Sequence, residues 1–314
     1  MPRLLRTLIL LSQRTLFRAA RSPQPFESLR ADGDLVAGAA EHDDGARFAL
    51  RLGGSFSPRA LDGKRVLDVG CGYGGRTVYY AERSSLTAIV GLEITDGIVR
   101  RCRAFAQQRR CENAVFVTGF AEQLPFESES FDVVLSFDVL EHVRDPAAAL
   151  SEIARVVRAD GDVWLVFPTY LGARSSHLDY ITRLPGLHRI FAADVIVDVV
   201  NELLAADPDR FQIAHQPAPQ VSELGRLTLP LLNGLTRADL PELLDSAGLV
   251  ARRTVLEPIV TRDTPVPAAR LLNICTRLLA RGLGWPELLI GSIGLHVAKR
   301  PAGRGASSAP VAAS

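Results

Sequence analysis

The sequence predicts an α/β fold: a Rossmann-like, doubly wound and mostly parallel sheet of seven strands, with an insertion after the fifth strand. Three observations predict it. From residue 64 onward, short apolar runs alternate with amphipathic segments of helical period, which is typical of a parallel sheet covered by helices on both faces. A glycine-rich turn follows the first apolar run. The alternation pauses at residue 168 and resumes at residue 236.

Five strands are predicted before the pause, and helices connect them by right-handed crossovers. The expected strands cover residues 66–69, 87–92, 114–117, 131–136 and 163–167, and the expected helices cover residues 75–83, 97–109 and 147–158. Pro146 favours the start of the third helix because proline fits the first helical position. The Asp160-Gly161 turn is expected to end it.

The segment 168–235 interrupts this pattern. It contains one clear helix, residues 193–206, whose apolar residues repeat at four-residue spacing. A segment this long after a strand is usually a lid or a substrate-binding insertion. Beyond it, Thr236 and Asp239 have the spacing of a capping box, and Gly248 provides a helix end. The last predicted elements are strands at 250–256 and 293–298 and a helix at 268–283.

The N-terminal residues 1–21 carry five arginines and no acidic residue. On a helical wheel the arginines fall within about one third of the circumference, and most of the leucines lie opposite. Two interpretations stay open: a helix lying in an anionic membrane surface, or a cap whose apolar face packs on the rest of the protein. Gln13 and Arg14 interrupt the apolar run, which argues against a signal peptide.

These observations divide the chain into five segments. We predict an N-terminal cap with a basic amphipathic helix, a cofactor-binding core, a lid or substrate insertion, a C-terminal completion of the sheet, and a disordered tail of small and polar residues. In that order, the segments cover residues 1–63, 64–167, 168–235, 236–300 and 301–314.

Composition narrows the class of protein. The 314 residues are 47% hydrophobic and carry a formal net charge of +1, so no global charge attracts nucleic acid, and we expect none as a partner. The four cysteines include no C-x-x-C pair, which favours reduced thiols over a disulfide framework or a zinc site. No run of about 18 apolar residues exists. We expect a cytoplasmic protein that contacts the inner face of the membrane, if at all, through residues 1–21. The sequence does not define its oligomeric state.

The turn after the first predicted strand carries the clearest chemical signal. Gly70, Gly72 and Gly75 form a G-x-G-x-x-G pattern at the carboxyl end of the strand, where open α/β sheets bind ligands. Glycines there let a ligand approach the backbone closely. Glu93, at the end of the second predicted strand, can hold ribose hydroxyls. Nicotinamide and flavin enzymes share these features, so they do not identify the ligand.

Three further features favour a different cofactor. Asp68 lies two residues before the first glycine, where a carboxylate would repel a pyrophosphate but suits the cationic amino group of a methionine, directly or through water. The sequence Ala-Glu-Gln-Leu-Pro-Phe occupies residues 121–126, after the third strand. The sequence Phe-Asp-Val-Val-Leu-Ser-Phe-Asp-Val-Leu-Glu-His-Val occupies residues 131–143, across the fourth strand and its exit.

These blocks resemble the class I methyltransferases, in particular the type 11 methyltransferase domain, over residues 66–168. The resemblance implies S-adenosyl-L-methionine as cofactor, with Asp68 and the first two glycines at its methionine end and Glu93 on the ribose hydroxyls. It further implies that Ile94 packs on the adenine, that the backbone of Ala121 meets the adenine edge, and that Ser136 and Phe137 line the methionine portion. The predicted cofactor-binding set is Asp68, Gly70, Cys71, Gly72, Gly75, Glu93, Ile94, Ala121, Glu122, Ser136 and Phe137.

One position departs from the family. The family usually reads Gly-Asp-Ala before the adenine contact, whereas this chain reads Gly119-Phe120-Ala121. Phenylalanine cannot accept a hydrogen bond from the adenine amino group. We therefore expect either that Glu122 takes that role or that the contact is absent.

The predicted reaction is O-, N- or C-methylation, and the protein must mainly align the reactants and exclude water. An oxygen or nitrogen acceptor also needs a base, and a carbon acceptor needs an acidified C–H. His142, just past the fourth strand, is the candidate base, and a structural histidine bonded to the backbone is the alternative. Tyr170, His177 and Tyr180 in the insertion are candidate substrate contacts. The apolar and aromatic insertion favours a small, hydrophobic acceptor.

Other classes of protein stay open. An RNA or protein methyltransferase would share the cofactor site, but no RNA-binding module is appended to the chain. An NAD-dependent oxidoreductase explains the glycines and Glu93, but neither Asp68 nor the Leu-Glu-His sequence at residues 140–142. A cofactor-binding subunit without catalytic activity is the third alternative.

Overall fold

The computed structural model describes residues 2–15, 24–25, 34–46, 51–172, 187–206, 212–213, 220–221, 227–228, 232–258, 278, 287 and 290–300. The chain divides into two compact units. The first unit comprises residues 1–32, 168–234 and 258–291, and the second comprises residues 33–167, 235–257 and 292–314. Nearly all of the segment predicted as an insertion therefore groups with the N-terminal residues.

Seven long strands and seven helices organise the described residues. The strands are β1 (Arg65–Val69), β2 (Ala88–Glu93), β3 (Ala114–Thr118), β4 (Phe131–Phe137), β5 (Val157–Phe167), β6 (Leu249–Pro258) and β7 (Ile290–Lys299). The helices are α1 (Pro2–Thr15), α2 (Asp34–Asp43), α3 (Gly75–Arg83), α4 (Asp96–Gln108), α5 (Pro146–Val156), α6 (Ala193–Ala206) and α7 (Leu240–Ser246). Two antiparallel pairs of two-residue strands belong to the first unit: Gln24–Pro25 with Gln212–Ile213, and Gln220–Val221 with Leu227–Thr228.

The seven long strands form one sheet in the order β6-β7-β5-β4-β1-β2-β3. Strand β1 is parallel to both of its neighbours, with Leu67 opposite Val90 of β2 and Val134 of β4. Strand β7 runs antiparallel to β5, with Leu295 opposite Leu165. The predicted fold class, a mostly parallel seven-stranded sheet of Rossmann-like type, is confirmed.

Parallel pairing brings the carboxyl ends of β1 to β4 to one edge of the sheet. Val69, the last residue of β1, lies opposite Leu92 of β2 and Ser136 of β4. Glu93, the last residue of β2, lies opposite Thr118 of β3. The buried faces of β1 explain why it reads as a continuous apolar run, which is typical of a parallel strand covered on both sides. The segments that follow these four strands therefore share one edge, as the predicted site requires.

Helix α5 is shorter than predicted. It begins at Pro146 as expected but ends at Val156, and Val157 is already extended, with φ −74° and ψ 143°. Strand β5 begins there, where Val157 pairs with Phe131 of β4, and the register shifts before Val133. The prediction that the Asp-Gly turn ends this helix was wrong. The consecutive β-branched valines favour extended pairing with β4 over another helical turn.

The capping box predicted before α7 is confirmed. The Thr236 side chain caps the first turn, and the Asp239 carboxylate accepts a hydrogen bond from the Thr236 backbone N–H at 2.8 Å. Gly248 follows α7 with a φ of 67°, the left-handed conformation expected at a helix end. Both features lie in the second unit and lead directly into β6.

In the first unit, α1 packs against α6. Leu5 and Ile9 of α1 are fully buried and share one apolar cluster with Ile196 of α6. Arg3 and Arg6 are exposed. Leu5 and Ile9 on the apolar face are therefore covered by protein, and the cap interpretation stays a prediction. Within the described ranges, no helix has the length and apolar character that crossing a membrane requires.

Replacing Ile9 with alanine should lower the free energy of unfolding by about 2–4 kcal/mol, because the side chain leaves a cavity in the α1–α6 cluster. Leu4, on the same helix but 60% exposed, is the matched control, and its replacement with alanine should change the free energy of unfolding by less than about 0.5 kcal/mol. Chemical denaturation of both variants measures the difference. Equal effects at the two positions would show that α1 does not pack on α6.

Several predictions concern residues outside the described ranges. They are the end of the N-terminal helix (residues 16–21), the helix at 268–283 apart from residue 278, the tail at 301–314, and the candidate substrate contacts His177 and Tyr180.

Candidate active site

The turn between β1 and α3 is shaped by three glycines. Gly70, Gly72 and Gly74 have φ values of 67°, 58° and 79°, a region that side-chain-bearing residues rarely adopt. A Cβ atom on Gly70 would also lie 2.3 Å from Cγ2 of Val139. Glycine follows this path without strain, and the turn lies at the carboxyl edge of the sheet.

Helix α2 lies directly on this turn. A Cβ atom on Gly75, the first residue of α3, would lie 2.0 Å from the carbonyl oxygen of Gly38 in α2. The carboxylate of Glu41, also in α2, accepts hydrogen bonds from the backbone N–H groups of Tyr73 and Gly75, both at 3.1 Å. Sequence analysis missed Glu41, because it lies more than 30 residues before its partners and no local motif marks it.

Burial in this position raises the pKa of Glu41 to about 7, although Arg76 and the two backbone N–H groups lower it. The folded protein therefore binds this proton more tightly than the unfolded chain. The stabilisation from the protonated form is complete below the ordinary pKa of about 4.5 and is lost as the pH rises through about 7.

Glu41→Gln should remove this pH dependence. Relative to the variant, the wild-type protein should lose about 2–3 kcal/mol of stability, or several degrees in Tm, between pH 5 and pH 8. Thermal unfolding of both proteins across this range measures the difference. If the two curves stay parallel, Glu41 does not take up a proton on folding.

Asp68 is fully buried beneath the turn. Its carboxylate accepts a hydrogen bond from the Thr77 hydroxyl at 2.6 Å and lies 3.3 Å from the guanidinium of Arg76. Arg76 also donates to the carbonyl of Gly70 at 3.3 Å. These bonds attach the first turn of α3 to β1. The contact of Asp68 with a cofactor stays a prediction, and the structure adds a role in holding the glycine turn.

Glu93 is held at the end of β2 by two backbone donors. Its Oε2 accepts from the N–H of Gly72 at 3.2 Å, and its Oε1 accepts from the N–H of Ile94 at 2.8 Å. Burial raises the pKa of Glu93 above its ordinary value, against the effect of these N–H donors. Next to it, the Ile94 side chain is 59% exposed. The structure thus places a fixed carboxylate beside an open apolar side chain and the glycine turn.

The loop after β3 presents Phe120 to solvent. Its side chain is 60% exposed, and its carbonyl accepts from the backbone N–H of Gln123 at 3.1 Å. Ala121 is buried. The Glu122 carboxylate accepts from the backbone N–H of Arg144 at 2.8 Å, so it already has a partner in this loop. An adenine amino group bound to Glu122, as predicted, would therefore compete with the Arg144 N–H for this carboxylate.

The remaining predicted cofactor residues are buried. The hydroxyl of Ser136, near the end of β4, has no hydrogen-bond partner among the described residues. The Phe137 side chain packs beside Phe56 in the core, with the two ring centroids 6.3 Å apart. The Cys71 thiol is buried beneath the glycine turn. Among these three residues, Ser136 is therefore the one whose buried hydroxyl could bond a ligand.

Sequence analysis also missed an ion-pair cluster at the end of β4. Asp138, with a φ of 60°, binds the Arg51 guanidinium through both carboxylate oxygens, at 2.5 and 2.7 Å. Arg51 also lies 3.3 Å from the carboxylate of Glu257, which accepts from the Ser292 hydroxyl at 2.6 Å. No short motif predicts a pair separated by 87 residues.

His142 lies in the turn after β4, and its backbone N–H donates to the carbonyl of Val139 at 2.8 Å. Its side chain is 27% exposed, and its Nε2 is 3.7 Å from Oε1 of Glu141, whose side chain is 5% exposed. The predicted substrate contact Tyr170 belongs to the first unit, where its carbonyl lies 3.0 Å from Nε2 of His188. The structure groups His142 with the glycine turn and Glu93 in the second unit.

The methyltransferase domain model matches residues 67–165, which include most of β1, all of β2 to β4, the glycine turn, Glu93 and His142. This segment belongs to the class I S-adenosylmethionine-dependent methyltransferase family. The matched segment coincides with the part of the second unit where the predicted cofactor residues meet. The resemblance inferred from the three sequence blocks is therefore confirmed.

Curated relatives match the same part of the chain. The fatty-acid O-methyltransferase of Mycolicibacterium smegmatis is 34% identical over 122 residues, which cover 38% of this chain and 43% of the relative. An uncharacterised methyltransferase of Bacillus subtilis is 35% identical over 32% of this chain and 40% of its own length. Phthiotriol/phenolphthiotriol dimycocerosates methyltransferase 1 of Mycobacterium ulcerans is 37% identical over 32% of this chain and 36% of its own length. The chain thus spans less than half the length of each of these relatives.

Proposed function

We propose that this methyltransferase transfers the methyl group of S-adenosylmethionine to a hydroxyl or carboxyl oxygen of a small, apolar acceptor. The observation that carries the cofactor assignment is the fixed Glu93 carboxylate beside the positive-φ glycine turn, inside the matched domain. A carboxylate in this position accepts hydrogen bonds from two neighbouring ribose hydroxyls.

The residues present fit the cofactor. The buried Ser136 hydroxyl, without a hydrogen-bond partner among the described residues, suits the polar methionine end. The exposed side chains of Ile94 and Phe120 follow β2 and β3, and they offer apolar surface for the adenine. When bound, S-adenosylmethionine supplies a methyl group already activated by its sulfonium.

The acceptor class rests on the relatives and on composition. One relative is named as an O-methyltransferase of fatty acids, which have a long apolar chain, and another is named for phthiotriol and phenolphthiotriol dimycocerosates. A formal net charge of +1 gives this chain no general attraction for nucleic acid. We propose that residues 168–235 supply contacts to the acceptor, with Tyr170 as the described member of the predicted set.

The protein's own contribution is alignment, dehydration and, for some acceptors, removal of a proton. A carboxylate acceptor carries no proton at neutral pH, so only alignment and exclusion of water are needed. A hydroxyl acceptor must lose its proton as the new O–C bond forms. His142, partly exposed just beyond β4, is the residue we assign to accept this proton.

Incubation with S-adenosylmethionine carrying an isotope-labelled methyl group tests this proposal. The acceptors offered are a long-chain fatty acid, a long-chain phenol and a short polar alcohol, and mass spectrometry detects the methylated products. We expect label in the fatty-acid ester or the phenyl ether, with little in the polar alcohol. Label that appears only when RNA or a protein is added would overturn the acceptor class.

A further inference from the structure

Glu141 has a buried carboxylate to which the described part of the fold gives no hydrogen bond. Its side chain is 5% exposed, and both carboxylate oxygens lack a hydrogen-bond partner within the described part of the chain. Leaving a carboxyl group buried without partners costs free energy, and such groups concentrate at functional sites. The nearest imidazole is that of His142, whose Nε2 lies 3.7 Å from Oε1 of Glu141.

We propose that Glu141 positions His142 and shares with it the proton that a hydroxyl acceptor loses during methyl transfer. This inference rests on the proposed function. His142 is the outer member of the pair, with 27% of its side chain exposed, and Glu141 is the buried member behind it. A small rotation of either side chain would bring Nε2 of His142 and Oε1 of Glu141 from 3.7 Å to hydrogen-bond distance.

The surroundings of Glu141 support a shared proton. Burial raises the pKa of the Glu141 carboxyl and Asp138 raises it further, whereas its own backbone N–H and the Arg51 guanidinium lower it, so this pKa lies well above its ordinary value. Arg51 does not neutralise Glu141 fully, because its guanidinium is bound by both oxygens of Asp138 and lies near Glu257. A raised pKa brings the proton affinity of the Glu141 carboxyl closer to that of an imidazole than the affinity of an ordinary carboxyl, and this direction favours sharing between the two groups.

The proton and charge balance is complete. The acceptor oxygen forms its bond to the methyl carbon while the sulfur–carbon bond breaks, and the sulfonium becomes a neutral thioether. The acceptor proton moves to the imidazole of His142, and the Glu141 carboxylate stabilises the resulting cation or takes up the proton itself. The pair returns to its starting state by releasing one proton to solvent.

Nuclear magnetic resonance tests the pair without an acceptor. In the full-length protein, the His142 ring carbons and the Glu141 carboxyl carbon should report one common transition, with an apparent pKa at least about one unit above the ordinary histidine value of about 6.5. In Glu141→Gln, the His142 transition should move down by about one unit or more, a tenfold loss in proton affinity. Glu141→Asp should restore part of this shift, because it keeps the carboxyl group.

Glu127→Gln is the matched control, since Glu127 is an exposed carboxyl on a different loop. It should leave the His142 transition unchanged. Separate transitions for Glu141 and His142 in the wild-type protein would overturn the proposal, and so would an unchanged His142 transition in Glu141→Gln. If Glu141→Gln does not fold, the wild-type protein alone tests the proposal: a common transition of Glu141 and His142 supports it, and separate transitions overturn it. These outcomes are independent of methyl transfer, whose own failure would appear as absent label in the acceptors offered.

Discussion

His142→Ala should reduce turnover of a hydroxyl acceptor by about two to four orders of magnitude, because the acceptor proton loses its base. The dissociation constant of S-adenosylmethionine should stay within about threefold of the wild-type value. Steady-state kinetics with a long-chain phenol, together with calorimetry for the cofactor, measures both quantities.

A carboxylate acceptor provides the internal control for this variant. It has no proton to lose, so methylation of a fatty acid should fall by less than about tenfold in His142→Ala. Equal losses with both acceptors would show that His142 supports the structure of the turn after β4 and does not act as a base. An unchanged rate with the phenol would show that the His142 side chain does not take up the acceptor proton.

Glu93→Ala should weaken S-adenosylmethionine binding by about ten- to a hundred-fold, because two charge-assisted hydrogen bonds to the ribose are lost. Glu93→Gln keeps the shape of the side chain and one carbonyl acceptor, so its loss should be smaller. Isothermal calorimetry of the three proteins measures the series.

The same substitution also affects the glycine turn, because Glu93 accepts from the N–H of Gly72. Thermal unfolding separates the two effects. A variant that keeps the wild-type Tm but binds weakly supports a direct ribose contact. Wild-type affinity in Glu93→Ala would contradict the placement of the ribose at this carboxylate.

The fold could be predicted from the sequence because its signals are local. The apolar runs of β1 to β5, the helix at Gly75–Arg83 and the capping box before α7 each depend on neighbouring residues, and the structure confirms them. The start of β5 could not be predicted in the same way. It depends on pairing between Val157 and Phe131, and propensity alone does not show which partner a valine will find.

In the candidate site, too, features with local signals could be predicted and long-range contacts could not. The glycine turn and Glu93 follow directly from motifs at strand ends, and the family match includes them. Glu41 and the Arg51–Asp138 pair depend on contacts between residues far apart in the sequence, and neither has a spacing that would mark it. Asp68 combines both cases. Its position before the glycine turn is clear from the sequence, but its bonds to Thr77 and Arg76 are seen only in the structure.

Calorimetric titration of the full-length chain with S-adenosylmethionine and, separately, with NAD tests the central claim most directly. We expect S-adenosylmethionine, or its demethylated product, to bind with a micromolar dissociation constant, roughly −7 to −8 kcal/mol, and NAD to show no saturable binding in the same range. Saturable binding of NAD without binding of S-adenosylmethionine would contradict the assignment of the glycine turn and Glu93 to a methyltransferase cofactor site.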